Sequence, residues 1–213
     1  AQIEGCYVPA VHDAMMSADP AFKIKVRKYT GFHTNKKLHT PQLLSWQLAT
    51  HNRYVAEIMR GCTRGCRFCQ AGYIYRPVRE RNPDDILAKL LEEVALSGWD
   101  EAGLMSLSSS DYSCIKELLF ALLASLDAAK TSVSLPSLRV DSLDKDLVGL
   151  LKDLGREGLT IAVEAGSQRL RDVINKNITE TDITSGVGIA QQLGWQRIKL
   201  YFIGFTISAA NDQ

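Results

Sequence analysis

The chain has 213 residues, 46% of them hydrophobic and 23% charged, with a net charge of +1. That composition is ordinary for a soluble globular protein and suits one domain with a sizeable core, while the net charge by itself points to no partner. No apolar run reaches membrane-spanning length, and Ala1-Gln2-Ile3-Glu4-Gly5 lacks the pattern of a signal peptide, so no membrane partner and a cytoplasmic location are expected.

Residues 1–53 are weakly patterned and read as an N-terminal extension or linker. From Tyr54 onward, strand-like runs alternate with helical patterns. The strands are expected over 54–59, 102–107, 132–135, 159–163 and 197–203. The first intervening helix opens on Asn82-Pro83-Asp84-Asp85, a cap followed by proline at the first helical position and acids in the first turn. Ile86, Leu90 and Val94 then recur at helical spacing until Gly98. The second helix runs from about Ser113 with Leu118, Leu119, Leu122 and Leu123 on its apolar stripe. The third carries Leu147, Val148 and Leu151 and stops at Gly155; the fourth begins near Thr181 and stops at Gly194. Such alternation predicts an α/β fold with a parallel sheet and right-handed crossovers, in which ligands bind beyond the C-terminal strand ends.

The chemistry concentrates directly after the first strand, where Cys62, Cys66 and Cys69 follow a C-x3-C-x2-C spacing. Thiolates on one short loop can hold three irons of a [4Fe–4S] cluster and leave the fourth open. Three other readings compete. A zinc-binding structural domain would pair C-x2-C knuckles and needs further ligands nearby. A cluster used only for electron transfer usually carries four cysteines. A disulfide fits neither five cysteines nor a chain without a secretory signal. Cys114 reads as a buried structural thiol and Cys6 as incidental. Residues 60–82 also hold six arginines against the single acid Glu80. That rim either draws a phosphate-bearing substrate, RNA included, or consists of solvated charges balanced by acids folded nearby.

The cysteine loop resembles that of the radical S-adenosylmethionine (SAM) enzymes. Four further stretches agree in order: Ser106–Ser113, Ser134–Asp141, Glu164–Lys176 and Arg197–Gly204. Together they resemble the large cobalamin-binding type of that superfamily, from about Val55 to Gly204. The resemblance implies a partial parallel (β/α) barrel of about five strands over 54–213, truncated or diverged after 204 and so incomplete at its C-terminus. It implies a [4Fe–4S] cluster on Cys62, Cys66 and Cys69, and a 5′-deoxyadenosyl radical made from SAM with an external electron donor. For SAM contacts it implies Phe68 against the adenine, Ser109 and Asp111 for the ammonium, Arg139 for the carboxylate, and Glu164 and Ser167 for the ribose or amino group. The Gly-Glu pair usual at the second strand end is replaced by Ser108–Asp111. Cobalamin belongs to the family type, but its domain is not found in these residues. The substrate is unassigned, RNA or protein, with methyl or methylthio transfer as one outcome. The alternative is a partial, non-catalytic iron–sulfur module that needs a partner chain. The cluster is expected to order the 60–82 loop, and the tail after Gly204 to pack poorly.

Overall fold

The computed structural model describes residues 6–25, 27–29, 31–32, 42–47, 50, 52–127 and 130–204. The chain divides into two compact units, residues 1–32 and 33–213. In the first, helix α1 (Pro9–Ala18) opens on proline. His12 is buried between the rings of Tyr7 and Phe22, with centroids 5.9 and 6.4 Å away. The expectation of a poorly packed tail after Gly204 lies outside the described residues.

The second unit carries every strand. β1 (Tyr54–Glu57) is followed by β2 (Met59–Arg60), helix α2 (Ala71–Ile74), β3 (Arg79–Glu80) and α3 (Pro83–Ser97). Then come β4 (Glu101–Met105), α4 (Ile115–Ser125), β5 (Ser132–Ser134), α5 (Lys145–Asp153) and β6 (Gly158–Glu164). The short α6 (Gln168–Val173), α7 (Glu180–Gln192) and β7 (Arg197–Phe202) complete it. Expected caps are present: Asn82 Oδ1 accepts from the N–H of Asp84 at 2.8 Å, and Gly98 closes α3 at φ +69°. Thr179 and Asp182 form a reciprocal capping box at the start of α7.

All the long strands are parallel, β1–β4–β5 in one ladder and β6–β7 in another, while β2 and β3 form a small antiparallel pair. The expected continuous five-strand sheet is therefore interrupted between β5 and β6 among the described residues. The cause is local. β5 stops at Ser134, ahead of Pro136, which has no N–H to donate, and Ser137, which is left-handed at φ +60°. A cavity of about 360 Å³ lies at this break, walled by Ser134–Leu138 on one side and Gly158–Thr160 on the other.

Helices α3, α4, α5 and α7 pack each against the next in that order, with α3 on β1. Along β6, Leu159, Ile161 and Val163 are buried while Thr160 is exposed, the period-2 signature of a strand covered on one side. Ile86, Leu90, Leu118, Leu119, Leu122, Val148 and Leu151 complete the core. Among the described residues β1 is an edge strand, and side chains occupy its outer edge: Arg81 at Glu57 C=O and Gln42 at Val55. The Gln42 amide accepts from Val55 N–H at 3.2 Å and donates to Val55 C=O at 2.7 Å. Buried Glu93 of α3 accepts the Gln42 backbone N–H at 3.3 Å. No strand is formed by the described residues before Tyr54.

Candidate functional site

The cysteine loop leaves β2 through Gly61, at φ +92°. A Cβ there would stand 2.7 Å from the carbonyl oxygens of Tyr75 and Pro77, so only glycine fits. Cys62, Cys66 and Cys69 are free and half-buried on this loop. Cys62 Sγ accepts the N–H of Arg64 at 3.5 Å, and Cys69 Sγ that of Gly72 at 3.4 Å. Backbone N–H donors aimed at sulfur suit thiolates that ligate iron. Among the described residues, no three Cys, His, Asp or Glu side chains converge on a point where one metal ion could sit. A cubane instead gives each thiolate its own iron. The donor set and its backbone support fit a cluster.

The loop is held by protein groups along its length. Arg67 N–H donates to Ile174 C=O at 2.9 Å, and its guanidinium to Val173 C=O. Asn175 Nδ2 and Tyr73 OH donate to Gly65 C=O at 2.8 and 3.1 Å. Arg76 reaches Cys62 C=O at 3.3 Å, Arg79 reaches Tyr75 C=O at 2.9 Å, and Arg81 reaches Glu57 C=O at 3.0 Å. Arg60 pairs with Glu57, and Arg64 with Asp111 and Asp141, as the reading of charges balanced by nearby acids has it, while Arg67, Arg76, Arg79 and Arg81 bond backbone carbonyls.

The structure brings the loop to the C-terminal strand ends. Both carboxylate oxygens of Asp111, after β4, receive the Arg64 guanidinium, with Nε to Oδ2 at 2.8 Å. Ser108 Oγ donates to the same Oδ2 at 2.7 Å. Arg64 also meets Asp141 at 3.2 Å. Burial pushes the Asp111 carboxyl upward, but the hydrogen bonds from Arg64 and Ser108 outweigh it and hold it below its ordinary value. A depressed folded-state value means that Asp111 stabilises the fold above the ordinary carboxylate range, and that this contribution is lost as pH falls through the depressed value. Asp111→Asn should therefore flatten the acid side of the stability profile, measured by urea unfolding at a series of pH values. An acid limb identical to wild type would remove Asp111 from that role.

The other expected residues are placed unevenly. Phe68 is 43% exposed, with Lys176 Nζ over its ring at 6.0 Å from the centroid. Glu164 ends β6 at a bulge, where Ala162 and Glu164 oppose the adjacent Tyr201 and Phe202. Its φ of +71° is strained for a side-chain-bearing residue. Its carboxylate pairs with Lys176 at 3.1 Å. Ser167 is exposed and caps α6 by accepting from Leu170 N–H at 3.3 Å.

Two residues sit differently from expectation. Ser109 is fully buried, its hydroxyl turned to Leu104 C=O and Ser106 Oγ, so it shapes the turn and does not face a ligand. Arg139 is 5% exposed. Its guanidinium donates to both oxygens of Asp141, at 2.9 and 3.1 Å, and to Lys176 C=O at 2.8 Å. A ligand carboxylate would have to displace these bonds, so the arginine ties the turn after β5 to the segment after α6. Cys114 is partly buried against the core, as expected for a structural thiol.

Arg64, Asp141, Arg171 and Lys176 were not expected at the site. Arg171 is 1% exposed and donates five hydrogen bonds of 2.8–3.1 Å, to the carbonyls of Ala165, Gly166 and Ile178 and the side chains of Gln168 and Glu180. It fixes the turn that follows Glu164. A cavity of about 600 Å³ lies beside the cysteine loop, lined by Glu57, Arg60, Gly61, Tyr75, Met105 and Leu107 among others. Larger cavities of about 780 and 800 Å³ open where β6 and β7 begin, at the opposite strand ends, away from the thiols.

The model of the radical SAM superfamily matches residues 56–208. An uncharacterized protein of Methanocaldococcus jannaschii is 41% identical over 150 residues, which cover 70% of this chain and 32% of that protein. A second protein of that organism, provisionally named a methylthiotransferase, is 24% identical over 171 residues, 76% of this chain and 37% of its own length. The chain thus spans about a third of these relatives. Among solved structures, the radical SAM methyltransferase TsrM of Kitasatospora setae, with cobalamin and a [4Fe–4S] cluster bound, superposes with a TM-score of 0.58 at 14% identity. That match covers 70% of this chain and 31% of TsrM. The cobalamin-dependent radical SAM enzyme OxsB gives 0.54 at 16% identity, over 72% of this chain and 24% of OxsB. The fold neighbours and the half-buried three-cysteine loop agree with the family model: the chain belongs to the radical SAM superfamily.

Proposed function

We propose that the chain is the SAM-cleaving core of a radical SAM enzyme, with a [4Fe–4S] cluster on Cys62, Cys66 and Cys69 and SAM along the adjoining strand ends. The observation that carries this reading is the half-buried three-thiol loop, linked through Arg64 to the acids that follow β4 and β5. When bound, such a cluster supplies the electron that splits the SAM sulfonium. Phe68 offers a face to the adenine. Asp111 and Glu164, both partly buried, offer acceptors to the ammonium and the ribose. Lys176, already paired with Glu164 and near Phe68, adds a cation on that side of the site. Arg139 and Arg171 hold the surrounding turns. Ser167 serves the site as the cap of α6.

The partial barrel belongs to the same reading, with β6–β7 continuing the curve of β1–β4–β5 past the break. The cavity lined by Gly61 and Met105, at the start of the cysteine loop, gives a substrate room. Methyl or methylthio transfer is the reaction class favoured by the relatives, on an RNA or protein substrate. The test is anaerobic reconstitution of the chain, reduction, and chromatography for 5′-deoxyadenosine after SAM is added. Its formation is the expected result. A fully loaded cluster that binds SAM without cleaving it would favour the partial module that needs a partner chain. Zinc in place of iron in anaerobically purified protein would overturn the reading.

A further inference from the structure

We propose that Arg64 is a built-in stand-in for the ligand's ammonium group, occupying Asp111 until the amino group of SAM displaces it. The inference rests on the reading above that Asp111 receives that ammonium. A carboxylate has two oxygens, and on Asp111 both are taken by one bidentate guanidinium. Bidentate Arg–carboxylate pairs are among the stronger polar contacts in proteins. An arriving ammonium must therefore share the carboxylate with a like charge or expel the arginine.

The geometry favours expulsion. The Arg64 side chain is 33% exposed and belongs to the cysteine loop, whereas its partner Asp111 is 19% exposed and anchored by Ser108. The carboxylate is thus the fixed half of the pair and the guanidinium the movable half. Arg64 also has a second acid to lean on. Asp141 lies 3.2 Å from its Nη1, and Asp141 already has a buried partner in Arg139. An arginine released from Asp111 keeps a counter-charge, which lowers the cost of release, and Asp141 is not left unpaired. An ammonium is compact and can use a single carboxylate oxygen, with Ser108 Oγ beside it as a further acceptor. The arrangement keeps a partly buried acid neutralised in the absence of ligand. Its consequence is a weaker apparent affinity for any ligand whose cation must take the same place.

The test compares binding by the reconstituted chain of SAM and of a SAM analogue lacking the α-amino group, using anaerobic calorimetry with iron content measured in parallel. Arg64→Gln should bind SAM about 2–5-fold tighter than wild type, the range set by losing one competing, partly exposed ion pair. The analogue should bind both proteins equally. Arg64→Lys, which keeps the charge but loses the bidentate grip, should show a smaller gain at full iron content. If Arg64→Gln loads too little iron, Arg64→Lys decides: tighter SAM binding supports the proposal and unchanged binding overturns it. Equal weakening of both ligands would mean that Arg64 only supports the loop. Weakening of SAM alone would mean that it contacts the ligand instead of competing with it. Either result overturns the inference and leaves the proposed function standing. Wild-type protein with a full complement of iron and no SAM binding would overturn both.

Discussion

Alanine at Cys62, Cys66 or Cys69 should abolish the brown absorbance of the reconstituted protein. Wild type should carry about four irons and four sulfides per chain. Each thiolate serves one corner of a cubane, so losing one ligand exposes a second iron and the cluster is shed during desalting. The control is specific: Cys6→Ala and Cys114→Ala should load as wild type, because Cys6 is exposed in the other compact unit and Cys114 packs against the core at the start of α4. Full iron retained by all three loop variants would remove the cluster from this loop. Loss on Cys114→Ala alone, with the loop variants intact, would relocate it.

The second large effect is expected at a residue that touches no ligand. Arg171→Met keeps much of the apolar stem and removes the guanidinium. Its five bonds close the turn after β6 and tie it to the starts of α6 and α7. The carbonyls of Ala165 and Ile178 lose a buried donor, and orphaned acceptors of this kind cost about 1–3 kcal/mol each. A total loss of about 3–5 kcal/mol is expected, read from urea unfolding of the variant against wild type. A loss below about 1 kcal/mol would show that water replaces the guanidinium there. Arg171→Lys should recover part of the loss, since an ammonium can satisfy some of the acceptors but cannot span the whole set.

These two sites show which features could be read from the sequence. The thiols announce themselves by spacing, and the five parallel strands and helices α3, α4, α5 and α7 by periodicity, because those signals are local, whereas α1 and the two-residue strands β2 and β3 go unread. Arg64 is different. Its partners stand 47 and 77 residues away, and nothing local distinguishes it from the other arginines of the loop. Arg139 misled for the opposite reason. Its carboxylate partner is only two residues on, at Asp141, and a nearby acid in sequence does not by itself reveal a buried, bidentate pair. Ser109 belongs to a serine run in which Ser108 is buried too, and only the turn geometry sends one hydroxyl to Asp111 and the other to Leu104 C=O. α6, with six residues, is too short to develop a period, and the break after β5 depends on Pro136 and Ser137 acting together.

The glutamine on the rim of β1 bears on self-association. An edge strand is a template, and a strand laid upon it presents a fresh template in turn, which is how fibrils grow. Gln42 satisfies the donor and acceptor of Val55 with a single amide on a flexible stem. A side-chain amide completes the pair but carries no further row of peptide groups beyond it, so it acts as a chain terminator for the ladder. Glu93, by gripping the Gln42 backbone, keeps that terminator seated. With Arg81 on Glu57 C=O one pleat further on, side chains rather than a strand fill this flank of the sheet, which leaves less of it open to other copies of the chain.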